Sequence, residues 1–136
     1  MSAGYSGTPL VRKLGFRPGW RVAVLGGPDR LDDLLGELPD GLRIVRRLGE
    51  GLDAVWIFAV ERRALERRLP DAIGRLPDDG TLWISWPKRS SRVATDISEN
   101  VLREVVLPSG WVDIKVAAVD ETWSGLRFAL RRELRG

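Results

Sequence analysis

Residues 53–58 read DAVWIF, and apart from the first residue this stretch is entirely apolar. An apolar run of this length is typical of a strand that is buried on both faces of a parallel sheet. Residues 81–86, TLWISW, form a second such run. Between them, residues 61–76 carry leucine and isoleucine at the spacing of one helix face. Strand, helix and strand in this order predict an α/β fold with a mostly parallel sheet.

The same alternation of apolar runs and amphipathic stretches extends toward the amino terminus, with glycine and proline at the turns. Pro70 lies inside the helix at 61–76 and is predicted to kink or split it. Toward the amino terminus, a first helix is predicted with Thr8 as N-cap and Pro9 as its first residue, and it is expected to end near Lys13. A strand at 21–25 follows. A second helix is predicted from Asp29, with Leu31, Leu34, Leu35 and Leu38 on one face, and it is followed by a strand at 42–46.

One more helix is predicted after the strand at 81–86. Asp96 and Glu99 have the spacing of a capping box, so the helix is expected to begin there and to end near Pro108. Its buried face is expected to carry Ile97, Val101 and Val105.

The carboxyl-terminal part of the chain predicts an antiparallel hairpin. Residues 111–119 and 126–130 alternate between apolar and polar, which is typical of strands with one wetter face. The turn between them, residues 120–125, is too short for a crossover helix, so the two strands must pair antiparallel. In the first strand Val112, Ile114 and Val116 are expected on one face, with Asp113 and Lys115 on the other.

The composition excludes several classes of protein. The chain has 136 residues, which fits a single domain over 1–136, and it has no cysteine and no histidine. Disulfides, Cys or His nucleophiles and the usual zinc ligands are therefore excluded. Nineteen of its 22 basic residues are arginine, and positive and negative residues are interspersed along the chain. This pattern favours a bias of the coding sequence toward arginine over a surface that binds nucleic acid. Without a signal region or a bilayer-length apolar run, a cytoplasmic protein without membrane contact is expected.

Four segments resemble the landmarks of a small bacterial family that is known only as a domain of unknown function. They are residues 3–10 (AGYSGTPL), 85–88 (SWPK), 94–105 (ATDISENVLREV) and 119–128 (VDETWSGLRF). The likeness covers nearly the whole chain, and it implies no activity.

A second resemblance concerns architecture. Residues 13–28, KLGFRPGWRVAVLGGP, are similar to the entry of class I methyltransferases, where a helix, a strand and a Gly-rich loop bind S-adenosylmethionine. Residues 76–86 look like the late strand of that fold, and the closing hairpin looks like its antiparallel pair. The resemblance implies a Rossmann-like sheet of about six strands, reduced by one strand–helix unit, with the order 2-1-3-4-6-5 and only strand 6 antiparallel.

The cofactor-binding residues of that family are not matched here. Its first strand usually carries an acidic residue and is followed by Gly-x-Gly, whereas this strand reads RVAVL and is followed by Gly26-Gly27-Pro28. An acid at the end of strand 2 usually holds the ribose hydroxyls of a nucleoside cofactor, but this strand ends in Arg46-Arg47. We therefore expect no bound cofactor and no catalytic residue, and the lack of cysteine and histidine predicts no metal.

Ligands of open α/β sheets bind beyond the carboxyl ends of the parallel strands. In this chain, the loops that reach this edge follow strands 1, 4 and 5. The loop at 87–92 offers three cations and two hydroxyls, which suit a carboxylate or a phosphate. The predicted ligand-binding residues are Gly26, Gly27, Lys88, Ser90, Arg92, Glu121 and Trp123.

Each of these groups has a plainer interpretation. The loop at 87–92 also fits an ordinary polar loop, and Asp120-Glu121, a candidate acid–base or metal-ligand pair, also fits solvated turn residues. Trp86 and Trp123 could stack a planar ligand or a cation, or simply pack the hairpin onto the sheet.

The sequence predicts a non-catalytic ligand-binding or regulatory module with an anion-accepting crevice at the carboxyl edge of the sheet. Its partner would be a small anionic ligand or another protein. The alternative is an S-adenosylmethionine-dependent methyltransferase-like enzyme that uses the Gly26-Gly27 loop. Nucleic-acid binding is disfavoured, because it would need the arginines to cluster on one face.

Overall fold

The computed structural model describes residues 8–136, and the strands of this region form one six-stranded sheet. The strands are β1 (Arg21–Leu25), β2 (Arg43–Val45), β3 (Ala54–Phe58), β4 (Thr81–Pro87), β5 (Trp111–Ala118) and β6 (Trp123–Leu130). The α-helices are α1 (Leu10–Lys13), α2 (Leu31–Leu35), α3 (Arg62–Gly74) and α4 (Glu99–Val106).

The sheet has the order β2-β1-β3-β4-β6-β5, which confirms the predicted topology. Strands β1 to β4 are parallel, and β6 is antiparallel to both of its neighbours. Pro87 at the end of β4 pairs with Trp123 at the start of β6, so the turn of the hairpin lies at the carboxyl edge. Because β2 and β3 flank β1 on opposite sides, the direction of winding reverses between β1 and β3. This is the topological switch point at which such sheets bind ligands.

Both faces of the sheet are covered by helices. The core between α3, α4 and the sheet includes Leu65, Leu102 and Phe128, all of them fully buried. The core beneath α1 and α2 includes Trp56 and Trp83. Each indole N–H has an acceptor, since Trp56 donates to Ser85 Oγ at 2.8 Å and Trp83 donates to the carbonyl of Leu14 at 2.8 Å. The prediction that these two tryptophans belong to the core is confirmed.

The first two helices are shorter than predicted. Pro9 is the N-cap of α1 rather than its first residue. Helix α2 begins at Leu31, not at Asp29, and ends after five residues because Gly36, with a φ of 68° and a ψ of −145°, leaves the helical conformation. Leu38 therefore lies outside the helix and is 37% exposed, so its predicted burial on the helix face is wrong.

Helix α3 runs without interruption from Arg62 to Gly74, so it is not split at Pro70. The capping box predicted for α4 is wrong. Ser98 is the N-cap, and its side chain accepts a hydrogen bond from Val101 N–H at 3.2 Å. The buried residues of the helix are Leu102 and Val106. Of the predicted face, Ile97 is buried just before the helix, whereas Val101 and Val105 are only half-buried.

The hairpin is tighter than predicted, because β6 begins at Trp123 and leaves only residues 119–122 for the turn. Strand β5 does lie at the sheet edge, as predicted. The alternation predicted for β5 is broken by a register shift between Asp113 and Lys115, with Ile114 as the extra residue. Asp113 consequently reaches Arg103 of α4, whereas Lys115 reaches α1 on the opposite face.

Candidate functional site

A close backbone approach marks the switch point between β1 and β3. Gly26 follows β1 with a φ of 71°, a conformation that favours glycine. A Cβ atom on Gly26 would lie 2.8 Å from the carbonyl oxygen of Phe58 and 2.6 Å from Nη1 of Arg68. Only a glycine fits between the two strand ends without moving its neighbours.

Arg68 reaches this point from the middle of α3. Side chains of a helix lean toward its amino terminus, and α3 begins at the carboxyl edge. Its Nη1 atom donates to the carbonyl of Phe58 at 3.4 Å, a long hydrogen bond. Among the residues that the structure describes, Arg68 has no carboxylate partner within 4.0 Å.

A second guanidinium lies beside the next glycine. Arg46 follows β2, and its Nη1 atom is 3.6 Å from the position of a Cβ on Gly27. Its only ion pair in the described part of the chain is with Asp32 at 4.0 Å, and the Arg46 side chain is 51% exposed. This pair is at the limit of contact, so Arg46 keeps most of its donors available. We call Gly26, Gly27, Arg46, Phe58 and Arg68 the switch-point crevice.

An aromatic contact connects this crevice with the hairpin. The rings of Phe58 and Trp123 meet edge to face, with centroids 5.0 Å apart and planes at 85°. Phe58 also lies 3.7 Å from the position of a Cβ on Gly27. Trp123 thus reaches across β4 to β3, and Phe58 lies between it and the first loop.

The loop after β4 crosses the carboxyl end of β3. Thr95 Oγ1 donates to the carbonyl of Val60 at 2.5 Å, and Asp96 Oδ1 accepts from Arg62 N–H at 2.7 Å. Asp96 therefore stabilises the amino terminus of α3, not that of α4. Held by these two hydrogen bonds, the loop after β4 borders the switch-point crevice on the β3 side.

The predicted ligand-binding residues fall into two groups. Gly26, Gly27 and Trp123 meet around Phe58. Lys88 lies at the end of β4, where its backbone N–H donates to the carbonyl of Thr122 at 2.7 Å and so joins the loop to the hairpin turn. Strands lie about 4.8 Å apart, so the ends of β1 and β4 are separated by about 10 Å.

The side chains of the second group make no hydrogen bond to the crevice within residues 8–136. Ser90 is exposed within a short 3₁₀ turn, Arg89–Ser91, and Arg92 is exposed directly after it at a φ of 62°. Glu121 is exposed in the hairpin turn. Its neighbour Asp120 accepts from the N–H groups of Thr122 and Trp123 at 2.8 and 2.7 Å, the contacts of a turn residue.

Sequence reasoning missed Arg46 and Arg68 as candidates. Arg46 gave a signal, because a basic residue at the end of strand 2 stands where a nucleoside site usually has an acid. Arg68 gave none, since it is one of several arginines on the exposed face of α3 and only the fold brings its guanidinium to Gly26.

No protein-family model and no curated protein matches the sequence. Solved structures do match it in fold. An S-adenosylmethionine-dependent methyltransferase from Aquifex aeolicus aligns with a TM-score of 0.62 at 13% identity, over 88% of this chain and 86% of that one. Magnesium protoporphyrin IX methyltransferase from Synechocystis PCC 6803 aligns with a TM-score of 0.60 at 15% identity, over 89% and 74%.

A protein of the NADB-Rossmann superfamily from Streptococcus agalactiae also aligns, with a TM-score of 0.53 at 14% identity, over 96% of this chain and 71% of that one. At such identities the likeness concerns the fold alone. The chain has the Rossmann-like fold of class I methyltransferases, which confirms the architectural resemblance seen in the sequence. In the described residues no helix is long and apolar enough to span a membrane.

The switch-point crevice lacks the acidic acceptors with which this fold usually holds S-adenosylmethionine. That cofactor bears a sulfonium cation, and its ribose hydroxyls need acceptors as well as donors. Arg46 and Arg68 only donate and are always charged. No acid occurs in β1, and β2 is followed by Arg46 and Arg47. Two cations without strong partners instead suit the negative oxygens of a carboxylate or a phosphate.

Proposed function

We propose that the chain binds a small anion in the switch-point crevice and carries out no catalysis there. One observation carries the proposal: Arg46, which follows β2, and Arg68 of α3 both reach the Gly26-Gly27 turn at the switch point of the sheet. Converging guanidiniums recognise oxyanions through paired, charge-assisted hydrogen bonds.

The residues of the crevice supply binding chemistry but no proton transfer. Glycine and phenylalanine have no titratable group, and arginine stays protonated throughout the usual pH range. General acid–base catalysis needs a group whose pKa lies near the working pH. The proposed role is therefore recognition of a ligand, with Phe58 and Trp123 as the apolar wall of the site.

The second candidate is a methyltransferase-like enzyme, which the similar folds favour. Such an enzyme would have to bind S-adenosylmethionine at the same Gly26-Gly27 turn. The two candidates make opposite predictions about charge, since one needs an anionic ligand and the other a cationic cofactor. A fold shared at this level of identity does not decide between them.

Calorimetric titration of the protein with inorganic pyrophosphate and with S-adenosylmethionine tests the proposal. Pyrophosphate should bind, and Arg46→Ala combined with Arg68→Ala should weaken its binding about tenfold or more. The matched control changes the exposed neighbours Arg47 and Arg67 to alanine, which removes the same net charge away from the turn.

The control variant should keep the affinity of the unmodified protein. Equal losses in both double variants would mean that net charge, not the crevice, attracts the anion. Binding of S-adenosylmethionine without binding of pyrophosphate would contradict the proposal and establish the second candidate.

A further inference from the structure

Arg127 of β6 is a half-buried cation without a carboxylate partner in the described part of the chain. Its Nε atom is buried and has no hydrogen-bond partner there. Its Nη2 atom donates only to Thr81 Oγ1, at 3.3 Å. Buried polar groups are nearly always paired, so an orphaned donor on a charged group calls for an explanation.

The charged side chains nearest to Arg127 are basic. Lys115 of β5 is its direct cross-strand partner, a like-charge pairing that is unfavourable. Burial and then the charge of Arg17 lower the pKa of Arg127. No aspartate or glutamate occurs in residues 1–28, the segment that includes α1. The cluster therefore has no acidic residue from α1 to neutralise it.

Side-chain contacts hold this cluster in place. The ammonium group of Lys115 donates to the carbonyl of Lys13 at 3.1 Å. The ammonium group of Lys13 in turn donates to the carbonyl of Ala118 at 3.0 Å. These two reciprocal bonds fasten α1 to the edge strand. We call Lys13, Arg17, Lys115 and Arg127 the α1–hairpin cluster.

We propose that the α1–hairpin cluster binds a phosphate-type oxyanion, with Arg17 and Arg127 as its principal donors. The anion would supply the negative charge that the cluster lacks, and it would accept from the N–H groups of Arg127 that do not bind Thr81. Thr81 keeps the other side of that guanidinium in place. The site is separate from the switch-point crevice, because Thr81 begins β4 whereas the crevice lies at the carboxyl ends of the strands.

The test uses the full chain with Arg46→Ala and Arg68→Ala, so that the crevice does not contribute. Inorganic phosphate is titrated while the ¹⁵N-labelled Nε–H signal of Arg127 is followed by NMR, and calorimetry gives the affinity. The Arg127 signal should shift with saturation. Adding Arg127→Met should weaken binding about tenfold or more, as expected for loss of charge-assisted hydrogen bonds.

A second variant guards against a change in folding at the half-buried position. Arg17 is exposed, so Arg17→Ala should leave the fold intact and still weaken phosphate binding. Arg131→Met, an exposed arginine just after β6, is the matched control and should leave the affinity unchanged. A parallel titration with glycerol 3-phosphate distinguishes the sources of the ligand.

Equal binding of both compounds would mean that the site recognises a phosphate group on a larger molecule, and binding of inorganic phosphate alone would mean that it holds the free ion. Either result supports the proposal. An Arg127 signal that does not move, or equal affinity with and without Arg127→Met, would overturn it. Because the crevice arginines are absent from the background, this result is independent of the function proposed for the crevice.

Discussion

Arginines on the two faces of this molecule differ in their partners. On the α3–α4 face, Arg62 binds Glu66 at 3.2 Å and Glu104 at 3.0 Å. Arg103 on the same face binds Glu99 and Asp113 at 2.8 and 3.1 Å. Hydrogen bonds to these carboxylates raise the pKa of both arginines.

Arg127 on the α1 face and Arg68 at the switch point lack such partners among the described residues, and burial lowers the pKa of Arg127. The arginines of the described residues thus fall into two sets, those with carboxylate partners and those without. Paired arginines connect surface elements, whereas the arginines left without carboxylates are available to an external anion. Composition alone does not separate the two, because only the fold determines which arginine meets a carboxylate.

The largest expected effect concerns the backbone of the crevice. Gly26→Ala should lower the free energy of unfolding by about 3 kcal/mol, since a left-handed residue costs ~1–2 kcal/mol and the clash with the Phe58 carbonyl adds to it. Gly51→Ala is the matched control, because Gly51 has a similar φ of 68° but no atom within 4 Å of its Cβ position.

The control should lose only about 1–2 kcal/mol, the cost of the left-handed conformation. Urea denaturation of the two variants measures the difference. If both lose the same free energy, the strand ends at the switch point are not closely packed and the crevice lacks its geometric basis.

Replacing the paired arginines by alanine should affect mainly stability, and replacing the unpaired ones should affect mainly anion binding. Arg62→Ala with Arg103→Ala should lower Tm, because four carboxylate contacts are lost, and should leave pyrophosphate affinity unchanged. Arg46→Ala with Arg68→Ala should do the reverse, with a loss of about tenfold in affinity and almost no change in Tm. Thermal unfolding and calorimetry on both variants check this. Reduced affinity in the first variant would remove the distinction between the two kinds of arginine.

Much of the fold was predictable because the sequence patterns that indicate its strands extend over many residues. The apolar runs at 53–58 and 81–86 extend over whole strands, and the hairpin is too short for any connection but an antiparallel one. Errors arose where one residue decides a boundary. Gly36 ends α2, and Ser98 competes with Asp96 for the cap of α4.

The site was predictable only as far as the backbone determines it. Gly26 and Trp123 were placed at the carboxyl edge because the strand order brings their loops there. The position of Arg68 in the site was not predictable, since a long side chain carries its guanidinium there from the middle of a helix. The extra residue Ile114 in β5 likewise leaves no pattern in the sequence, although it reverses which face Asp113 occupies.

A smaller effect should follow from removing the half-buried charge itself. Arg127→Met replaces a cation without a carboxylate partner by an apolar chain of similar length, so Tm should stay level or rise by about 0–3 °C. Arg103→Met removes a cation with two carboxylate partners and should lower Tm. Differential scanning calorimetry gives both values. A clear fall in Tm for Arg127→Met would show that the cluster has a stabilising partner of its own.

The smallest effect is that of salt. Raising NaCl from 0.1 to 1 M shortens the screening length from about 10 Å to about 3 Å. The Tm difference between the unmodified protein and Arg103→Met should shrink to about half, because exposed ion pairs are screened. A difference that does not respond to salt would mean that Arg103 stabilises by packing and not by charge.

We propose that the switch point binds an anion through arginines that lack strong partners. An NMR titration with inorganic pyrophosphate tests it most directly. The amide signals of Gly26 and Gly27 and the Nε–H signals of Arg46 and Arg68 should shift together, while those of Arg62 and Arg103 stay in place. Shifts confined to α3 and α4, or shifts at Gly26 and Gly27 caused by S-adenosylmethionine and not by pyrophosphate, would contradict it.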